Sequence, residues 1–266
     1  DCLPASDREG ISGSSLAVGA ASHSAEAYHL TQVRKLLSHF AIDESKLQCG
    51  GHWPMYEPAK EEMLRKGEPC TGIHNNCSGK HSFMLAAAKY LQADDSYLPI
   101  EHEVQQRILQ RVQERTHNAV VSTVVDGCGV PCFVLPLQGM ATAWAALGVE
   151  MQIGTSSLGK IGQAMMEKAR YVSGTERLDL AINQFKTEPL VTKIGAEGLL
   201  CGAFPSRGLG FAIKVRTGLG APRPLAAVEV LNHWFPNILP SETADFWTTI
   251  PNVVGKPVGR IEARWN

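Results

Sequence analysis

The chain lacks any apolar run approaching the roughly 20 residues needed to span a bilayer as a helix. Its first residues, Asp-Cys-Leu-Pro-Ala-Ser-Asp-Arg, also lack the charged and apolar regions of a signal peptide. Charge of one sign is missing as well: the formal net charge is −1 and the basic residues are scattered, so neither nucleic acid nor an anionic membrane surface is an expected partner. A small molecule is the expected ligand. There are no internal repeats and no low-complexity tracts. The seven cysteines, at 2, 49, 70, 77, 128, 132 and 201, are odd in number and irregularly spaced, which argues against a disulfide framework. Metal ligation or reactive thiols are the better reading, and a reducing, cytoplasmic location fits them. The chain begins without methionine, which points to a missing N-terminus. What is present, 44% hydrophobic and 19% charged residues over 266 positions, suffices to bury a sizeable core.

Two polar knots stand out. His74-Asn-Asn-Cys-Ser-Gly-Lys-His81 gathers two imidazoles, a thiol, a hydroxyl, an amine and two amides around one glycine, and Asp126-Gly-Cys-Gly129 sets a second thiol beside a carboxylate between glycines. Glycine lets backbone approach a ligand closely, so two such turns suggest one shared site. A helix over about 80–91, with an alanine-rich 3.6 period, starts at the first knot and aims its free amides and positive dipole end into it.

The rest reads as a helical middle with strands near both ends. Leu16 to Ala21 is a short buried segment ending at Ser22-His23-Ser24, and Glu26 to Phe40 is a helix that Ser24 could cap. Further helices are expected over 57–66, 101–115, 139–147, 157–171 and 224–235. Strands are expected over 120–125, 191–194, 199–204 and 210–215, with a strand-like end from Val253 to Trp265. The implied fold class is α/β in the broad sense, α+β in detail: one domain over 1–266, with a helical region over about 25–189. Its antiparallel sheet would be assembled from distant segments, about 1–24 plus 190–266.

On chemistry alone, each candidate keeps a plain alternative. Cys77 and Cys128 are ligands or nucleophiles, or else small buried hydrophobes. Lys80 is a desolvated base or ligand, or a solvated cation. His23, His74 and His81 are metal ligands or hydrogen-bonding pieces of turns, and Asp126 binds substrate or shapes its turn. Lys193-Ile-Gly195 and Ser157-Leu-Gly-Lys160 match short signatures of penicillin-recognising serine enzymes, patterns that recur by chance.

Ala21-Ser-His-Ser24, Gln48-Cys-Gly-Gly-His-Trp-Pro54, the 74–81 knot, Val125-Asp-Gly-Cys-Gly-Val-Pro131, Ser173-Gly-Thr175 and Lys193-Ile-Gly-Ala-Glu-Gly198 occur in the order and approximate spacing of the L-asparaginase II family, the class 3 asparaginases, which the chain resembles from about Leu16 to its end. The resemblance implies a serine β-lactamase/glutaminase-like fold, a homodimer, and hydrolysis of L-asparagine to L-aspartate and ammonia through a serine acyl-enzyme. It places a zinc ion on Cys77, Lys80 and Cys128 and makes Ser22 and Lys193 a catalytic pair, in contact or one water apart. Asp126 would hold the substrate α-amino group, and His81 and Ser78 would orient ligands or substrate. Family members also carry an Arg-Ser-X-X-Lys-Pro segment upstream, which supplies the nucleophilic serine and its own lysine. Nothing between Asp1 and Val18 fits it, so roughly fifty or more residues of the pattern are expected to be missing. The readings this leaves, in order, are a fragment, a shortened homologue with altered chemistry, and a homologue that binds without turnover. The alternative function is a non-hydrolytic or repurposed zinc-containing protein that binds a small amide or amino acid.

Overall fold

The structure, a computed structural model, describes residues 3–264. Cys2 and Trp265 lie outside the described residues. In chain order the helices are α1 (Ala5–Glu9), α2 (Gly13–Gly19), α3 (Ala27–His39), α4 (Glu57–Lys66), α5 (Ser78–Tyr90) and α6 (Glu103–Arg115), followed by the hairpin β1 (Ser122–Val125) and β2 (Pro131–Val134). Then come α7 (Leu137–Ile153), α8 (Ser157–Glu167), α9 (Ala169–Val172) and α10 (Leu178–Phe185), and the strands β3 (Val191–Ile194), β4 (Leu199–Phe204) and β5 (Leu209–Lys214). Helices α11 (Arg223–Trp234) and α12 (Asp245–Thr248) and the hairpin β6 (Thr249–Pro251) and β7 (Pro257–Arg260) complete the chain.

Mixed helices and small antiparallel sheets make this an α+β fold. The expected sheet of distant segments is not formed among the described residues. The three-stranded sheet, in the order β3-β4-β5, draws every strand from residues 191–214, while β1-β2 and β6-β7 are separate two-stranded ribbons. Residues 16–21 do not supply a strand, because Ser12 accepts a hydrogen bond from the Ser15 amide and caps helix α2, whose Ala17 and Val18 are fully buried. Ser24 is not the cap of α3 either. Glu26 takes that place, with its side chain on the His29 amide and the His29 ring on its own amide.

Helices α2, α3 and α5 pack around Val18, Leu36, Ile73 and Leu85, and this core continues to Cys128 within the second knot and Val130 just after it. A second core lies between the three-stranded sheet, α10 and α11. Strand β4 is central and almost wholly buried, and so reads as a continuous run of small and apolar residues, while α7 lies across β4 and β5. Helices α2 and α5 cross in close contact at Gly79, where a Cβ would stand 2.2 Å from the Val18 carbonyl oxygen. The glycine of the first knot therefore serves the helix crossing, and that crossing sets where the helix beginning at Ser78 points.

Candidate functional site

The amides of Asn75 and Asn76 tie the first knot to two other parts of the chain. Asn75 donates to the Cys49 carbonyl at 2.9 Å and accepts from the Cys77 amide at 2.8 Å, so the loop around Cys49 is fastened to the start of α5. Asn76 donates through Nδ2 to Ser22 Oγ at 2.8 Å, and its backbone N–H donates to His52 Nε2 at 2.9 Å. Ser22, itself part-buried, is thereby held against the knot, its hydroxyl oxygen accepting from Asn76. A strap of contacts fixes its backbone. The Ser22 amide donates to the Val172 carbonyl, Ser24 Oγ donates to the Ser173 carbonyl, and the Glu26 carboxylate accepts from the Thr175 amide and hydroxyl.

The histidines divide by role. His23 Nδ1 accepts from the Ala25 amide, so Nε2 carries the proton and donates to the buried Ser78 hydroxyl at 2.9 Å. That direction makes His23 an orienting group for Ser78 rather than a base. Burial holds the His23 ring well below its ordinary pKa, and nearby imidazoles add to the effect. His74 accepts from the Thr71 amide and closes the turn before the knot. His81 stacks edge-on against Tyr97 within the core, and its Nδ1 lies 2.8 Å from the tyrosine hydroxyl.

The second knot closes over the first. The ligand atoms of Cys77, Asp126 and Cys128 all lie within 4.8 Å of one another, and Lys80 Nζ donates to Cys128 Sγ at 3.3 Å. The structure thus brings together all three sequence-selected ligands and adds the Asp126 carboxylate, while no histidine joins this group among the described residues. Two soft thiols, an amine and a carboxylate suit a tetrahedral metal ion, and the cluster could hold one. The hydrogen bond from the Cys128 thiol draws the Cys77 pKa down to about 7 against the cost of burial, and the same bond, with burial, pushes Cys128 up to about 12. Burial disfavours a charged Asp126, but the Cys128 thiol and amide and the Lys80 cation outweigh it, and its pKa falls below the usual carboxylate range. Burial likewise disfavours the Lys80 ammonium, yet the two thiols and Asp126 outweigh it and its pKa rises.

Lys193 sits on β3 opposite Cys201, facing the same region. Burial pushes its ammonium pKa down, opposed by Asp179 and Cys77. It is not hydrogen-bonded to Ser22: its Nζ donates to the Ile194 carbonyl, while Ser22 bonds Asn76. The residues that sequence reasoning missed are Asn76, His52, Tyr97 and Asp179. Asp179 is buried and accepts from Thr192 Oγ1 at 3.1 Å and from the Ile194 amide at 3.2 Å, which pins the strand that carries Lys193. Asn76 lay in plain view within a motif. His52 lay within a motif as well, and Tyr97 and Asp179 could not be found from sequence, because the partners of their side chains lie 13 or more positions away. Beside the site, between α2, α5, α6 and α7, lies a cavity of about 760 Å³ lined by Phe83, Met84, Ile108, Trp144 and Leu147, with Lys80 and Lys193 at its wall.

The α+β frame thus gathers Ser22, the two thiols and Lys80 around the start of α5, with Lys80 and Lys193 also at the wall of the neighbouring cavity. The L-asparaginase II family model matches residues 4–263, and the chain belongs to that family. Family membership makes it asparaginase-like, of the amidohydrolase type. No curated protein gives a significant match. No helix among the described residues is long and apolar enough to cross a membrane.

Proposed function

We propose that the chain is a single asparaginase domain of serine β-lactamase-like fold that hydrolyses the side-chain amide of L-asparagine, as a homodimer in the cytoplasm. The observation that carries the reading is the convergence of Ser22, Asn76, Lys80, Cys77, Asp126 and Cys128 at the start of α5. The Asn76 amide leaves the Ser22 hydroxyl hydrogen free for a base, and a buried Lys193 has the depressed basicity that lets a lysine act as one.

In this mechanism Lys193, released from the Ile194 carbonyl and acting directly or through one water, takes the Ser22 proton as Oγ adds to the amide carbon. The C–N bond then breaks, the departing amine takes that proton and leaves as ammonia, and an acyl ester remains on Ser22. Water attacks the ester, Lys193 receives its proton and returns it to Ser22 Oγ, and aspartate departs. Asp126 holds the substrate ammonium, while Ser78, oriented by His23, and His81 line the knot. Zinc is the metal the donor set suits best, held by Cys77, Cys128 and Lys80 with Asp126 adjacent, and when bound it would supply a fixed positive charge that organises the pocket.

Because Ser22 and Lys193 are not in contact, turnover is expected to be slow and substrate binding to outlast it. Ammonia release from asparagine and from glutamine, measured for the native chain and for Ser22→Ala, is the test. Asparagine turnover that falls at least about a hundredfold in the variant supports the assignment. Equal rates remove Ser22 from the chemistry, and asparagine binding without any ammonia supports the binding-only alternative.

A further inference from the structure

Arg177 stands at the start of α10, on a segment whose two ends are fastened to the candidate catalytic residues. At one end the Val172 carbonyl accepts from the Ser22 amide, and at the other the Asp179 carboxylate accepts from the Ile194 amide, next to Lys193 on β3. The guanidinium reaches a third element. It donates through Nη1 to the Met55 sulfur at 2.8 Å, and Met55 lies in the same loop as His52, which bonds Asn76, the residue that holds Ser22. These bonds bracket Arg177 between the serine and the strand of Lys193. A thioether is a weak acceptor, whereas Arg177 carries five N–H donors in a planar fork. Among the described residues no carboxylate and no carbonyl accepts from that fork. The neighbouring charged groups are committed elsewhere: Glu26 to Tyr28 and Thr175, Asp179 to Thr192 and Ile194, and the Arg223 guanidinium to the Gly195 carbonyl at 2.9 Å. A half-buried guanidinium without an anion is an unfavourable state. Burial accordingly lowers the Arg177 pKa, opposed by Asp179 and reinforced by Arg223.

We propose that Arg177 binds the α-carboxylate of the substrate, so that the site takes the side-chain amides of α-amino acids and turns away amides without that carboxylate. The proposal rests on the amidohydrolase reading given above, in which Asp126 holds the α-ammonium. The two charged ends of the amino acid then have separate anchors of opposite sign, and the planar fork of Arg177 suits a carboxylate through two parallel hydrogen bonds. An amide lacking the carboxylate would leave the guanidinium unpaired beside it. A site built to bond a charged group rejects the analogue without it for that reason.

The test compares L-asparagine with 3-aminopropanamide, which keeps the amide and the amine but has no carboxylate, for the whole native chain, Arg177→Gln and Arg177→Lys. Ammonia release gives kcat/KM for each amide, and the ratio between the two within one preparation does not depend on how much of a variant is folded. The native ratio should favour asparagine. Arg177→Gln should lower it about 10–100-fold, chiefly through KM for asparagine, and Arg177→Lys, which retains the charge, should give an intermediate ratio. The second readout is L-aspartate affinity by calorimetry, with the stoichiometry reporting the folded fraction, and Arg177→Gln should weaken it by a similar factor. An unchanged ratio or an unchanged aspartate affinity in Arg177→Gln overturns the proposal. A native chain that binds L-aspartate but releases no ammonia sinks the hydrolytic reading alone, and the aspartate affinity of Arg177→Gln then decides the role of Arg177. A native chain that binds neither asparagine nor aspartate overturns both.

Discussion

Gly79→Ala separates two opposing effects whose sizes can be worked from the structure. On an exposed helix this change stabilises by about 1 kcal/mol, because alanine loses less backbone entropy than glycine. Here the new methyl would stand 2.2 Å from the Val18 carbonyl oxygen and 2.7 Å from its carbon, where real contacts stay at or above 3.0 Å. One helix must therefore retreat by about 0.8 Å, the gap between 2.2 and 3.0 Å. The obstacle is backbone, so no rotamer change relieves it, and α2 is itself fixed by the fully buried Ala17 and Val18. Overpacking of this kind costs about 1–3 kcal/mol, and more against rigid backbone. The net expectation is destabilisation by about 1–2 kcal/mol, equivalent to a fall of about 2–8 °C in Tm for a chain of this size. Thermal unfolding of the matched pair measures it. A Tm equal to or above native would refute the claim that the knot glycine is there for the helix crossing.

Elemental analysis should find one zinc per chain, with Cys128→Ser lowering its affinity and chelation lowering the Tm of the loaded protein; metal-free protein prepared without chelators would contradict the assignment. Burial holds the folded-state pKa of His29 at about 4, below its ordinary value near 6.5, so its contribution is intact above pH 6.5. As pH falls from 6.5 to 4 only the unfolded state takes up this proton, which removes about 3 kcal/mol. His23 shifts in the same direction, so urea midpoints should fall across that window, and a flat profile would count against both. Asp179→Asn should cost about 1–3 kcal/mol in urea denaturation, because an amide nitrogen would be left facing the Thr192 or Ile194 donor.

Some of this was legible in the residues. Helices α4 and α11 and strands β3 and β4 lie within a residue of their expected limits, because each has a glycine or proline stop beside one end, with a 3.6 period in the helices and short apolar runs in the strands. The union of the two knots was legible too, since each sets a thiol among glycine and polar side chains. Helix α2 was not: Ser12-Gly-Ser-Ser reads as a loop until Ser12 is seen to cap it. The sheet was misjudged for a related reason. Strandlike patterns at separated positions carry no record of which strands pair, and here each pairs with its neighbour in sequence. Asn76, Tyr97 and Asp179 act through partners that only the folded chain brings near, so their residue types alone say nothing of their use.

The strap that binds residues 22–26 to residues 172–175 has a dynamic corollary. It is a short zipper of cross-links between two segments, with the serine at one end and Glu26 and Thr175 at the other. Loops joined in this way open together or not at all. The amides of Ser22 and Thr175 should therefore exchange with solvent at one common rate. Heat that frays the far end at Thr175 would loosen the serine well before the cores melt, so the temperature at which the pocket loses its shape lies below the temperature at which the chain unfolds.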